Sequence, residues 1–170
     1  MKLYIKIILI IFIFYAKNIL AANFTIGSIG DKTIADYDNY VNENTNVDTI
    51  IFDTNGSLTI NGAGNTQKIS SIEANGDNNG SISFNGDDTT LNVEGNIADQ
   101  DQRLSQIISN TNNFIINASN LYANKLVINT NSEISGTAIL NFNDIIFDST
   151  DNILTLSNNI NISGNIGIND

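Results

Sequence analysis

Any catalysis by this chain would have to come from carboxylates. The 170 residues hold 18 Asp and Glu but no His and no Cys. The usual general base, thiol nucleophile and zinc ligands are therefore missing. Ser and Thr abound, yet none stands in a Gly-x-Ser-x-Gly elbow. Arg103 is the only Arg, which leaves no guanidinium clamp for an anion. Paired carboxylates can hydrolyse glycosides, one as acid and the other as base or nucleophile. The available groups are Asp87-Asp88 and the set Asp53, Asp77 and Asp148. Asp also builds turns, because it bonds its own backbone two residues on. Asp53 and Asp148 both follow an Ile-Phe dipeptide, which puts them at one point of a repeat and favours the turn role. No catalytic residue is expected, and a polysaccharide-acting enzyme is the alternative.

Asp77-Asn78-Asn79-Gly80 is rich in oxygen ligands. An EF-hand loop alternates its ligands, with Gly at the sixth position and Glu at the twelfth. The calcium-binding nonapeptide has its own Gly-Gly-x-Gly-x-Asp pattern. Neither is present, so no metal, cofactor or small-molecule substrate is expected. Asn-x-Ser/Thr occurs at Asn23, Asn55, Asn79, Asn117 and Asn161, as chance allows in so Asn-rich a chain.

A repeat must position these residues. One phrase recurs three times, at Ile51–Gly62, Gly76–Gly86 and Ile146–Leu156. Each copy is an Asp/Asn/Gly turn and a strand that alternates apolar and polar residues. A second phrase, Leu91–Ile97, returns at Ile160–Gly167. Leu58 and Ile60, Ile82 and Phe84, Leu91 and Val93, and Leu154 and Leu156 each face one side, the pattern of a strand with one buried face. Copies one and two lie roughly 24 residues apart, close to one coil of a parallel β-helix. A unit that cannot bury its own apolar face must stack on its neighbours. The expected fold is all-β, a parallel β-solenoid over residues 50–170. Asn-Gly pairs between alternating runs also signal hairpins, so an antiparallel sandwich or meander stays open.

The flanks differ. Met1–Lys6 is short and basic, Ile7–Ala16 is unbroken apolar, and Lys17–Ala22 ends in small residues. That order marks a signal peptide over 1–22 and an exported chain. The apolar run is shorter than the about 20 residues of a membrane span, although an uncleaved anchor is the competing reading. Loss of 1–22 leaves four basic against 18 acidic residues, net −14. Such a surface repels nucleic acid. Without Cys there are no disulfides, so stacking and hydrogen bonds must hold the fold. Residues 23–49 look like an irregular cap, in which Phe24 and Ile26 could open a strand and Asp36–Tyr40 could cover the first rung. Residues 97–112 break the repeat. Leu104, Ile107 and Ile108 sit at helical spacing, and a strand over Gln106–Ser109 is the alternative to a helix or loop.

A secretion signal, an acidic Cys-free chain, Asn/Thr/Ser/Gly-rich alternating strands, and phrases such as Gly80–Gly86 and Ile162–Gly167 resemble the passenger region of bacterial autotransporter surface antigens of the outer-membrane-protein-B type. The likeness spans roughly residues 50–170. It implies a right-handed parallel β-helix on the outer surface, acting as an adhesin towards host cells. Members of that family end in a membrane-spanning barrel of repeated alternating strands of about ten residues. No such region occurs in these 170 residues, so the resemblance is to a passenger without its translocator, a remnant of a split gene. The expected partners are a host-cell surface, or a second copy through the open solenoid end.

Overall fold

The computed structural model describes residues 23–27, 31–44, 47–157 and 159–168; the expected signal peptide lies outside them. Among the described residues the strands stack as a parallel β-solenoid of about six turns, with one short helix. Every strand pairing in it is parallel, which excludes the sandwich or meander. The Asn-Gly pairs make corners, not hairpins. Gly80, at φ +77°, turns one wall into the next, and a Cβ there would collide with the Phe52 ring.

The coil has three walls. Wall one holds β1 (Phe24–Ile26), β3 (Thr49–Phe52), β5 (Ser71–Ala74), the bridge residue Ile97, the first halves of β10 (Asn120–Ile128) and β12 (Ile139–Phe147), and β14 (Ile160–Ile162). Wall two holds β2 (Lys32–Thr33), β4 (Ser57–Asn61), β6 (Ser81–Asn85), β8 (Leu104–Asn110), the second halves of β10 and β12, and β15 (Ile166–Ile168). Wall three holds β7 (Thr89–Asn92), β9 (Asn113–Asn117), β11 (Ser132–Ser135) and β13 (Leu154–Leu156).

Alternation puts every second side chain inside, where register stacks like on like. Leu58, Ile82, Ile107, Leu126 and Ile145 form one inward column, each at most 2% exposed. Burying each such side chain is worth about 1.5–3 kcal/mol. The next column runs Ile60, Phe84, Ser109 and Ile128. The small Ser109 leaves room for Phe114, whose ring stacks 4.2 Å from that of Phe84. Ser109 is fully buried, so its hydroxyl needs a partner. It pairs with Ser132 Oγ at 2.7 Å, and Ser132 lies 3.0 Å from the Thr111 carbonyl. Outside, amide ladders tie rung to rung. Asn110 Nδ2 donates to Asn85 Oδ1 and Asn129 Nδ2 donates to Asn110 Oδ1, both at 2.7 Å.

The coil shortens along its length. The inward column repeats every 24 to 25 residues from Leu58 to Ile107, then every 19 through Leu126 to Ile145. The difference lies at the corner between walls one and two. Residues 75–80 and 98–103 fill it in the longer coils, whereas β10 and β12 run straight through. Residues 97–112 are therefore not a helix or an irregular insert throughout. Leu104–Asn110 is β8, paired with β6 and β10, and only 98–103 bulges. Strand pairing on both sides outweighs the helical spacing of Leu104, Ile107 and Ile108.

The first rung is a cap more regular than expected. β1 and β2 pair with the second rung, and α1 (Ile34–Glu43) follows them. Thr33 accepts from the Asp36 backbone N–H, and the Asp36 carboxylate accepts from the Thr33 N–H, a capping box. The Thr33 N–H, and after it the Thr33 hydroxyl, donate to that carboxylate at 2.7 and 2.9 Å and hold it below its ordinary range. Tyr37 is fully buried, meets Phe24 edge-on at 5.6 Å, and donates its hydroxyl to the Lys68 carbonyl. Asp38 accepts from the Thr66 and Gln67 backbone N–H groups at 2.9 and 3.0 Å. At the other end Ile153, Ile166 and Ile168 are 64%, 64% and 50% exposed.

Two measurements check this packing. Phe84→Ala should lose about 3–5 kcal/mol in urea unfolding, whereas Thr59→Ala, on the outside of wall two, should stay within about 0.5 kcal/mol of the parent. Burial pushes the Tyr37 phenol up to about 12, with Asp48 and Asp38 adding to it. A phenol raised above its unfolded value of about 10 stabilises the fold fully below that pH and loses the effect as pH rises towards 12. The parent should therefore weaken from pH 10 to 12, and Tyr37→Phe should show a flatter profile there.

Candidate functional site

The carboxylates that sequence reasoning singled out do not converge. Asp53 and Asp77 sit on the corner between walls one and two, whereas Asp87, Asp88 and Asp148 sit on the corner between walls two and three. The Ile-Phe dipeptide before Asp53 ends β3 in wall one, and the one before Asp148 ends β12 in wall two. The two Asp residues are thus not at equivalent points of the coil, because alternation looks the same in every wall. Four of the five carboxylates are spent on later coils. Asp53 accepts from Asn75 Nδ2 at 2.8 Å. Asp77 accepts from Asn124 Nδ2 at 3.2 Å. Asp88 accepts from Asn113 Nδ2 at 2.6 Å. Asp87 accepts from the Asn112 backbone N–H and from the Thr111 hydroxyl, at 3.1 and 2.8 Å. These bonds hold the Asp87 carboxyl below its ordinary range, the Asn112 N–H first. A general acid for glycoside cleavage needs the opposite shift. Among the described residues no three acidic side chains are grouped to hold a metal.

A groove opens on wall one instead. One column in register on it runs Ile51, Glu73, Ala98, Tyr122, Asn141 and Asn161, by the pairings of Ile51 with Glu73, Ile72 with Ile97, Ile97 with Leu121, Tyr122 with Asn141 and Asn141 with Asn161, and Ala98 in it is buried. Ala98 contributes only a methyl where its neighbours carry long side chains. The gap is about 300 Å³, with Ile72, Ala74 and Ala98 as an apolar floor and Ser71, Glu73, Asn96, Asp99 and Gln102 around it. An adjoining opening of about 260 Å³ extends it to Ile51 and Asn75, sharing Glu73, Ala74 and Gln102.

The corner 98–103 shapes one side of this groove. Ala98 adopts φ +59°, a left-handed conformation uncommon for Ala. Asp99 Oδ1 then accepts from the Asp101 and Gln102 N–H groups, both at 2.8 Å, and closes the turn. Arg103 clamps the corner to later rungs. It donates to the Asn141 carbonyl at 3.2 Å and lies 5.5 Å from the centre of the Tyr122 ring. Of the polar groups in the groove, Ser71 donates to Glu73 Oε1 at 3.0 Å and Asn120 donates to Asn96 at 3.2 Å. The Gln102 amide and the other Glu73 oxygen keep their capacity for a ligand. Sequence reasoning singled out residues 97–112, which hold Ala98, Asp99 and Gln102, as a break in the repeat, but it did not find Glu73. The alignment of Glu73 with Ala98 depends on a 25-residue shift between Ile72 and Ile97 that no motif marks.

A second groove, about 350 Å³, lies along Asn65, Lys68, Val93, Glu94 and Asn117. Its polar groups satisfy one another. Lys68 meets Glu94 at 3.0 Å, which holds the ammonium above its ordinary value. Asn65 accepts from the Asn92 N–H, and Asn117 donates to Asn92, both at 2.8 Å. It offers less to a ligand than the wall-one groove does.

The Asp87 bonds give a pH test. A carboxyl lowered by folding stabilises the fold above its unfolded value of about 4 and loses that effect as pH falls through the folded value. The parent should exceed Asp87→Asn in urea unfolding at neutral pH, and the gap should close below about pH 4. Compared with family models, curated proteins and solved structures, the chain matches none.

Proposed function

We propose that this chain is a non-enzymatic, exported recognition module, an adhesin of the autotransporter-passenger kind that contacts a host-cell surface through wall one. The observation that carries the reading is the groove over Ala98. It pairs an apolar floor with the uncommitted Gln102 amide and a half-free Glu73, and rigid parallel strands hold it open. Glu73 on β5, and Gln102 in a corner closed by Asp99, lose little freedom on binding, which favours recognition by a preformed surface. A net charge of −11 selects against anionic partners and for neutral or basic ones. The resemblance to autotransporter passengers and the signal-like first 22 residues support display outside the cytoplasm.

The enzyme alternative has one feature in its favour, the acidic pair Glu73 and Asp99 beside the same groove. Hydrolysis needs both carboxylates free to reach a glycosidic bond, and Asp99 Oδ1 already closes its turn with two backbone bonds. Recognition without cleavage is therefore preferred.

The test is binding of the purified, labelled chain to cultured host cells. Glu73→Ala with Gln102→Ala should cut saturable binding several-fold while the circular dichroism spectrum and melting stay unchanged. Thr59→Ala with Ser83→Ala, outside on wall two, should bind like the parent. Equal binding by both variants would remove wall one as the contact. New reducing ends after incubation with a polysaccharide panel, abolished by Glu73→Gln, would instead establish the enzyme.

A further inference from the structure

The sequence has five Asn-Gly pairs, at Asn55, Asn61, Asn75, Asn79 and Asn85, and the fold treats them unequally. Asn-Gly is the pair most open to spontaneous loss of the side-chain amide, since Gly offers no Cβ to hinder its own nitrogen, and Asn counts among the thermally labile residues. The reaction needs two freedoms. The Asn carboxamide must swing over the next backbone nitrogen, and that nitrogen must be unbonded and reachable by base.

Four pairs lack one or the other. The Gly56 N–H is bonded to the Thr54 carbonyl at 2.8 Å and Gly56 is buried. Asn75 Nδ2 is held by Asp53 at 2.8 Å. Asn79 Nδ2 is held by the Asn75 carbonyl at 2.8 Å, and Gly80 packs on Phe52. Asn85 Oδ1 accepts from Asn110 at 2.7 Å as a member of the ladder. Asn61 differs. It lies in register with Asn85, but the ladder stops before reaching it, and its side chain makes no hydrogen bond among the described residues. Asn61, Gly62 and Ala63 are all exposed, and nothing lies within 4 Å of where a Gly62 Cβ would stand.

We infer that Asn61 is a site of covalent self-modification, converting to aspartate and isoaspartate through a cyclic imide with Gly62. The Gly62 nitrogen gives its proton to solvent base, and its electron pair attacks Asn61 Cγ. The Cγ–Nδ2 bond breaks, and Nδ2 leaves as ammonia after taking a proton. Water then opens either carbonyl of the ring. Opening at Cγ restores the normal chain with an aspartate side chain. Opening at the backbone carbonyl routes the main chain through Cγ and inserts a methylene at the end of β4. No oxidant, metal or enzyme is required, and each event adds one negative charge to an acidic surface.

The experiment is peptide mapping by mass spectrometry of the full chain, incubated folded at mildly alkaline and mildly acidic pH. The amide-to-acid mass gain should appear first and several-fold fastest in the peptide holding Asn61, faster at the alkaline pH, with ammonia released in equal amount. Gly62→Ala should suppress it while leaving the other four pairs unchanged. In denaturant all five should convert at similar rates, since the fold makes the distinction. Earlier conversion at Asn55, Asn75, Asn79 or Asn85 in the folded chain would overturn the assignment. So would an Asn61 that leads equally in denaturant, because the selection would then be local sequence alone.

Discussion

A single coil of three short strands cannot bury its own inner side chains, and the molecule is organised around that deficit. Each inward residue is covered by its counterpart in the coil above and below, as in the column from Leu58 to Ile145. Parallel register is thus the condition for having a core at all. It brings the inward Ser109 a buried partner, Ser132, from the next coil. It also explains the helix at the start. The first coil has no predecessor among the described strands, so α1 and Tyr37 supply burial that a strand would give elsewhere.

The same register sorts the polar residues. On the outside, Asn stacks on Asn along corners and walls, and most Asp residues reach to the next coil and close a turn or a ladder step. Acidic composition here is therefore mainly a matter of joinery. Groups available to a ligand appear where register places a small residue between larger ones, as Ala98 stands between Glu73 and Tyr122. A binding surface of this kind is an interruption in a lattice, and its shape is held by the lattice on both sides.

How much of this was legible depends on which quantity the residues encode. Alternation in Ser57–Asn61, Ser81–Asn85 and Thr89–Asn92 fixes which side chains point inward, and that reading holds. It does not say which wall a strand belongs to, since a two-residue period is identical in all three. Hence Ile51-Phe52-Asp53 and Ile146-Phe147-Asp148 look like copies and occupy different walls. Wall identity is set by corner length, and a corner of six residues and one of a single Asn leave similar traces in composition. The strand over Leu104–Asn110 was one of two open readings, as the Gln106–Ser109 alternative, for a related reason. Its helical spacing is a local signal, and the pairing that overrides it comes from Ser81–Asn85 and Leu126–Ile128, some 20 residues away on either side. The groove was the least legible feature, because Glu73, Ala98 and Tyr122 meet only once those shifts are known.

The two coil lengths have a consequence of their own. The corner between walls one and two spends six residues in some coils and one in others, yet the columns on either side stay in line. Length at that point is decoupled from fold. A gene encoding such a chain can gain or lose codons there without rewriting a single inward position. The surface of the solenoid can therefore diversify in units as small as one corner, and the stacked interior, which tolerates little, is never asked to change with it.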